Sequence, residues 1–165
     1  MDSTPSNSTV SRTAILLLRV LTFVFLLIAL ILIAINKLTD EDTDTKVKFS
    51  DIYVYRYMIS TIVIGFAYNL LQMALSVFAV VSGNRVLAGE VGLLFDFFGD
   101  KIISYFLLSG CAAGFGFTVE LRRADSSINS FTGKANASAS FLLFGFLSTA
   151  IASIFTSFAL PKKAN

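Results

Sequence analysis

Arg19, Asp96, Asp100 and Lys101 stand inside or at the rim of stretches that are otherwise apolar. Charge beside hydrocarbon is costly unless an opposite charge or water receives it. Arg19 lies about one helical turn inside the apolar run Ala14–Ile35, and Asp100 about one turn inside the run Phe97–Val119. With one further span between them, the two runs point the same way, so both charges enter from one face at similar depth. Either charge alone costs about 2.5–3.5 kcal/mol at the membrane centre, and less near an end. Pairing lowers the cost for both, because a guanidinium presents a planar fork to a carboxylate. The expectation is an intramembrane ion pair between Arg19 and Asp100, with Asp96 as the second choice of acid. The plainer alternative has Arg19 snorkelling to lipid phosphates and both acids lying in the headgroup layer. Lys101 reads as a snorkelling lysine.

Other side chains suit packing. Asn69 and Gln72 are three apart and share a helix face, so interhelical hydrogen bonds are expected, with a pore lining as the rival reading. Gly110-x-x-x-Gly114, Ala112-x-x-x-Gly116 and Gly145-x-x-x-Thr149 are small-residue spacings that let helices approach closely. They fit packing within a bundle; a homodimer seam is the alternative. Cys111 is the only cysteine, so no internal disulfide forms, and it reads as a small buried apolar group. Histidine is absent, and no Cys-x-x-Cys, phosphate-binding glycine loop or acid pair facing a cleft occurs. Catalysis, a cofactor and a metal are not expected.

These residues require long membrane helices to position them. Of the 165 residues 55% are hydrophobic and 15% charged, against roughly 45–50% and 25% in soluble domains, and the excess is collected into long runs. Mean hydropathy is +0.76. The net charge of +2 and the absence of a basic stripe give no sign of a nucleic-acid partner. Residues 14–160 read as one four-span membrane domain, with spans at about 14–35, 58–81, 97–119 and 139–160. The first run is too long for a signal-peptide core. Residues 1–13 read as a flexible tail and 161–165 as a second tail. Asn36–Tyr57 reads as a loop that opens acidic; Tyr53, Tyr55 and Tyr57 at its end suit an aromatic belt, although their spacing of two also fits a short strand. Ser82–Phe95 and Glu120–Ala137 read as the other loops. Short connections make the helices alternate, so the fold class is an all-α, antiparallel four-transmembrane-helix bundle with both ends on one side. The positive-inside count is nearly even and does not orient it. Asn136-Ala137-Ser138 is a candidate glycosylation sequon close to the fourth span. Lys162-Lys163 has the form of an endoplasmic-reticulum retrieval signal, but it starts about two residues from the membrane, and two lysines beside anionic lipid are the better explanation.

At these residues the chain resembles the plant CASP-like proteins, that is, the Casparian strip membrane domain proteins and their relatives, allied to the MARVEL tetraspans. The resemblance rests on Arg19, on Phe97-Phe98-Gly99-Asp100-Lys101-Ile102-Ile103-Ser104-Tyr105-Phe106-Leu107-Leu108-Ser109, on Ala112-Ala113-Gly114, on Tyr68-Asn69-Leu70-Leu71-Gln72 and on Tyr55-Arg56-Tyr57. It covers nearly the whole chain from Thr13 and looks closest to the 4D subfamily. The family's hallmark, Arg in the first helix and Asp in the third, falls on Arg19 and Asp100. The resemblance implies a MARVEL-like bundle in the plasma membrane with cytoplasmic termini, forming homodimers and heterodimers with related tetraspan proteins. It also implies an oligomeric scaffold that organises membrane subdomains and recruits cell-wall-modifying proteins, with membrane lipids as partners and no small-molecule substrate. The aromatic and acidic first-loop signature of the Casparian strip proteins proper is missing from Leu38–Tyr57. The rival function is a small channel or transporter lined by Arg19, Asp100, Asn69 and Gln72; against it, the spans carry no proline and no interrupted half-helices.

Overall fold

Backbone groups in hydrocarbon must be satisfied within their own segment, so apolar runs of this length fold as helices. A computed structural model describes residues 7–39, 46–48, 51–82, 90–124 and 128–159. The helices are α1 (Asn7–Ala34), α2 (Tyr53–Ser82), α3 (Glu90–Ala124) and α4 (Asn129–Ala159). All four are long and apolar enough to cross a membrane, over Thr13–Ala34, Tyr53–Phe78, Leu94–Ala124 and Asn129–Phe158.

Each helix outruns the span read from hydropathy. α1 begins inside the expected tail, α2 takes in Tyr53–Tyr57, and α3 starts at Glu90 rather than after a loop ending at Phe95. Most of Glu120–Ala137, read as a loop, is helix: α3 runs on to Ala124 and α4 begins at Asn129. Good helix formers such as Glu120, Leu121, Arg122 and Arg123 extend a helix past the hydrocarbon at little cost. The tyrosine triplet is helical, which removes the strand reading. It also splits by face: Tyr53 is exposed, while Tyr55 is fully buried and so belongs to the core rather than to a belt. Within the first loop, β1 (Lys37–Thr39) and β2 (Lys46–Lys48) pair antiparallel, Lys37 opposite Lys48. The acidic start of that loop and Lys162-Lys163 lie outside the described residues.

Contacts run in opposite order along each neighbouring pair, which makes the bundle antiparallel. On α2 and α3, Tyr55 meets Thr118, Thr61 meets Gly110, and Tyr68 meets Gly99. On α1 and α4, Leu26 meets Gly145 and Ala29 meets Ser138. α4 packs most extensively, against α1 and α3, while α2 packs against the same two helices from the other side. The helices therefore form a square, with α1 diagonal to α3 and α2 diagonal to α4.

The inward seam of α1 is Ile15, Arg19, Thr22, Leu26, Ala29 and Ile33, spaced alternately four and three. That of α2 is Tyr55, Met58, Ile62, Gly65, Asn69 and Gln72. A seam repeating every 3.5 residues is the left-handed bundle geometry. Leu17, Val24 and Ile31 face outward. In lipid the hydrophobic effect does not separate inside from outside, so the polar residues, not the apolar ones, mark the interior.

Small residues set how closely the helices approach. Gly110 lies against Thr61, whose hydroxyl fills the space that a side chain would need. Gly114 faces Met58 and Ala139, and a Cβ on Gly145 would come within 3.0 Å of Leu26. Gly116 has nothing within 4 Å of a Cβ built there, and Ala112 is exposed beside it. Gly110, Gly114 and Gly145 thus pack inside the bundle, whereas the Ala112-x-x-x-Gly116 face looks outward. Gly110→Leu is expected to lower stability by at least about 1–3 kcal/mol through overpacking, and Gly116→Leu to leave it unchanged. Unfolding of the two variants by SDS titration in mixed micelles measures the difference.

Candidate functional site

Arg19 occupies the inward seam of α1, so its side chain enters the centre of the square rather than turning to lipid. Asp100, on the facing seam of α3, meets it across the diagonal. Nη1 and Nη2 of Arg19 donate to Oδ1 and Oδ2 of Asp100, each at 3.1 Å. Arg19 is 3% exposed and Asp100 0%. The two-pronged geometry lets one planar group neutralise the other without water. Because α1 and α3 are diagonal, the pair does not dock one helix directly on the other; it ties opposite corners through the centre.

α2 closes the site. The Tyr68 hydroxyl donates to Oδ1 of Asp100 at 2.9 Å and accepts from Nε2 of Gln72 at 2.8 Å. Nδ2 of Asn69 donates to the Arg19 carbonyl oxygen at 2.9 Å. Asn69 therefore bonds across helices. Gln72 does not bond across helices directly: its partner is one turn away on its own helix, and it reaches α3 only through Tyr68. Asp96, the second choice of acid, is not a partner of Arg19. It is half-buried, and its backbone carbonyl takes a long 3.5 Å contact from the Tyr68 hydroxyl. Nε of Arg19 has no partner among the described residues.

Tyr68 is the member that sequence reasoning missed. Tyrosine is most often explained by the membrane interface, yet Tyr68 lies well inside α2, one turn before Gln72. That depth and spacing were the available signal. Gly99 makes the contact possible, because a Cβ there would collide with the Tyr68 ring and hydroxyl.

A second set of buried bonds closes the other end. The Tyr55 hydroxyl lies 2.9 Å from Oγ1 of Thr118, which itself donates to the Gly114 carbonyl. The Tyr55 ring meets Phe117 and Phe131 edge-on. Nδ2 of Asn36 donates to the Phe131 carbonyl at 3.0 Å, and Ser138 donates to the Ala29 carbonyl at 2.7 Å. Asn136 lies within α4 with its Oδ1 buried, and Ser138 is fully buried against α1. Asn136 itself is half-buried. Cys111 is buried in the apolar core. Among the described residues no three His, Cys, Asp or Glu side chains gather to hold a metal.

Both carboxylate oxygens of Asp100 are thus engaged by the guanidinium, one of them by a phenol as well. The arrangement holds three helices in register. Arg19→Met or Asp100→Leu alone is expected to destabilise the bundle by about 3–5 kcal/mol, because each leaves a buried charge unpaired. The double variant is expected to recover most of that loss, and Tyr68→Phe to cost about 1 kcal/mol. SDS-titration unfolding of the four proteins gives these differences.

Comparison with known proteins fits this arrangement. The Casparian strip membrane protein domain matches residues 8–148. The chain is 76% identical over 162 residues to CASP-like protein 4D1 of Glycine max, covering 98% of this chain and 95% of that protein. It is 48% identical over 164 residues to CASP-like protein 4D1 of Ricinus communis, covering 96% and 98% of the two chains. With CASP-like protein 4D2 of Arabidopsis thaliana it shares 41% identity over 171 residues, covering 96% and 97%. No solved structure matches it. With end-to-end similarity at this level, the chain belongs to the CASP-like membrane proteins, in their 4D group.

Proposed function

We propose that this chain is an oligomeric scaffold of the plasma membrane, with both ends in the cytoplasm, that organises membrane subdomains and recruits cell-wall-modifying proteins. One observation carries the reading. The charged groups of the interior are engaged by each other, with Arg19 and Asp100 side chains 4% and 0% exposed, so the site behaves as a closed clasp rather than as a stop along a permeation path. A clasp that fixes three of the four helices in one geometry makes a rigid unit with a constant outer surface, and constant surfaces assemble repeatedly. Family membership supports the same reading.

Assembly uses the outer faces. Ala112 and Gly116 form a small-residue stripe turned to lipid, suited to close approach by a second bundle, either another copy or a related tetraspan. On the loop side, the segment holding the β1–β2 hairpin is the surface for partners beyond the membrane, because the α3–α4 connection is too short to add much.

Photobleaching of a fluorescent fusion in the plasma membrane tests this. The expected outcome is slow, incomplete recovery within patches for the wild type. Gly116→Leu is expected to recover several-fold faster while keeping the wild-type unfolding midpoint. Fast recovery of the wild type, together with ion flux in proteoliposomes that Asp100→Asn abolishes, would replace the scaffold with a channel or transporter.

A further inference from the structure

Between α3 and α4, at the end of the bundle where α1 begins and α4 stops, the surface opens into a groove of about 360 Å³. Phe97 and Lys101 of α3 and Ser153 and Ser157 of α4 lie along it, and Phe146 and Ala150 floor its deeper part. Lys101 stands about seven residues, or roughly 10 Å, past the start of the apolar part of α3, where its long stem carries the ammonium back toward the phosphate layer. Its ammonium sits 4.8 Å from the centre of the Phe97 ring. It forms no ion pair among the described residues. Asp100 is taken by Arg19, and Asp96, five residues earlier, lies about 140° round the helix from Lys101.

The hydroxyls supply an independent sign. From Thr132 to Phe158, six serines and threonines of α4 engage their hydroxyls with backbone carbonyls, for example Ser148 with Phe144 and Thr156 with Ala152. Ser153 and Ser157 make no such bond among the described residues, and both line the groove. Ser153 is only 4% exposed. A hydroxyl open to hydrocarbon without a partner costs free energy, so a polar acceptor is wanted at this place. A lone cation, two unengaged hydroxyls and an apolar floor match a phosphodiester with an acyl chain behind it.

We propose that this groove binds one anionic phospholipid from the leaflet on the side of the chain ends. Lys101, Ser153 and Ser157 hold its phosphate, and an acyl chain lies over Ala150 and Phe146. With no carboxylate beside Lys101 in the groove, a headgroup lacking choline's positive charge is favoured. The inference rests on the membrane-spanning fold and not on the scaffold reading.

Native mass spectrometry tests it on the full chain, purified in detergent with equimolar dioleoyl phosphatidylglycerol and dioleoyl phosphatidylcholine. The wild type is expected to retain one phosphatidylglycerol in clear preference to phosphatidylcholine. Lys101→Gln, at an exposed position, is expected to cut that preference about five-fold. Ala150→Phe, which fills the groove, is expected to remove the bound lipid, and Lys134→Gln at the opposite end to change nothing. Equal retention of the two lipids by the wild type would overturn the proposal. So would an unchanged preference in Lys101→Gln, or a lipid-free dimer in which a second copy covers the groove.

Discussion

In hydrocarbon a polar group has only other polar groups to turn to. That constraint shapes this protein more than apolar packing does. Arg19 and Asp100 satisfy it by meeting head-on across the centre of a square of helices. Their bond is also what makes the square definite. Neighbouring helices settle against one another through small residues and dispersion contacts, which tolerate sliding. A bidentate bond between diagonal corners does not, because a shift of one residue along either helix moves the partner out of reach. Tyr68, Gln72 and Asn69 then fasten α2 to the same point, with one bond to the carboxylate and one to the backbone beside the guanidinium.

The bundle is organised inside out relative to a soluble one. Its seams carry Arg19, Thr22, Asn69, Gln72, Asp100, Ser104, Thr118, Ser138 and Ser148, while its outer surface is Leu, Ile, Val and Phe. Hydroxyls that face the seams mostly return to carbonyls of their own helix, which leaves few donors exposed to lipid. The two groups of longer-range bonds lie at opposite ends, the charged set near the chain ends and the Tyr55–Thr118 set near the loops. Between them the core is apolar, with Leu26, Ile62 and Leu107 fully buried. Gly65 lets Leu107 close in there, since a Cβ on it would come within 2.6 Å of that side chain.

Much of this was legible in the sequence, and the reason is the cost of polarity in lipid. Four apolar runs and two isolated charges at matched depth led to the bundle and to the Arg19–Asp100 encounter. What escaped reading follows from the same physics. Helix ends lie in water, where hydropathy no longer reports helicity, so Glu120–Ala137 looked like a loop although Glu120–Ala124 are good helix formers. Within the spans nearly every position is apolar, so periodicity did not tell which faces meet. Gly110, which packs inward, and Gly116, which does not, were indistinguishable by spacing. Tyr55, Tyr57 and Tyr68 are all tyrosines near or within α2, yet one is core, one bonds Ser109 at the surface and one holds the carboxylate. Only the three-dimensional register separates them.

The sequence separation inside the central bond has a bearing on biosynthesis. Arg19 and Asp100 are 81 positions apart, so at ribosomal rates of about 5–20 residues per second the cation is made roughly 4–16 s before its counterion. During that wait its guanidinium must lean toward the aqueous boundary or remain sheltered by the insertion machinery. The central bond can therefore close only once the third helix has joined the first in the membrane.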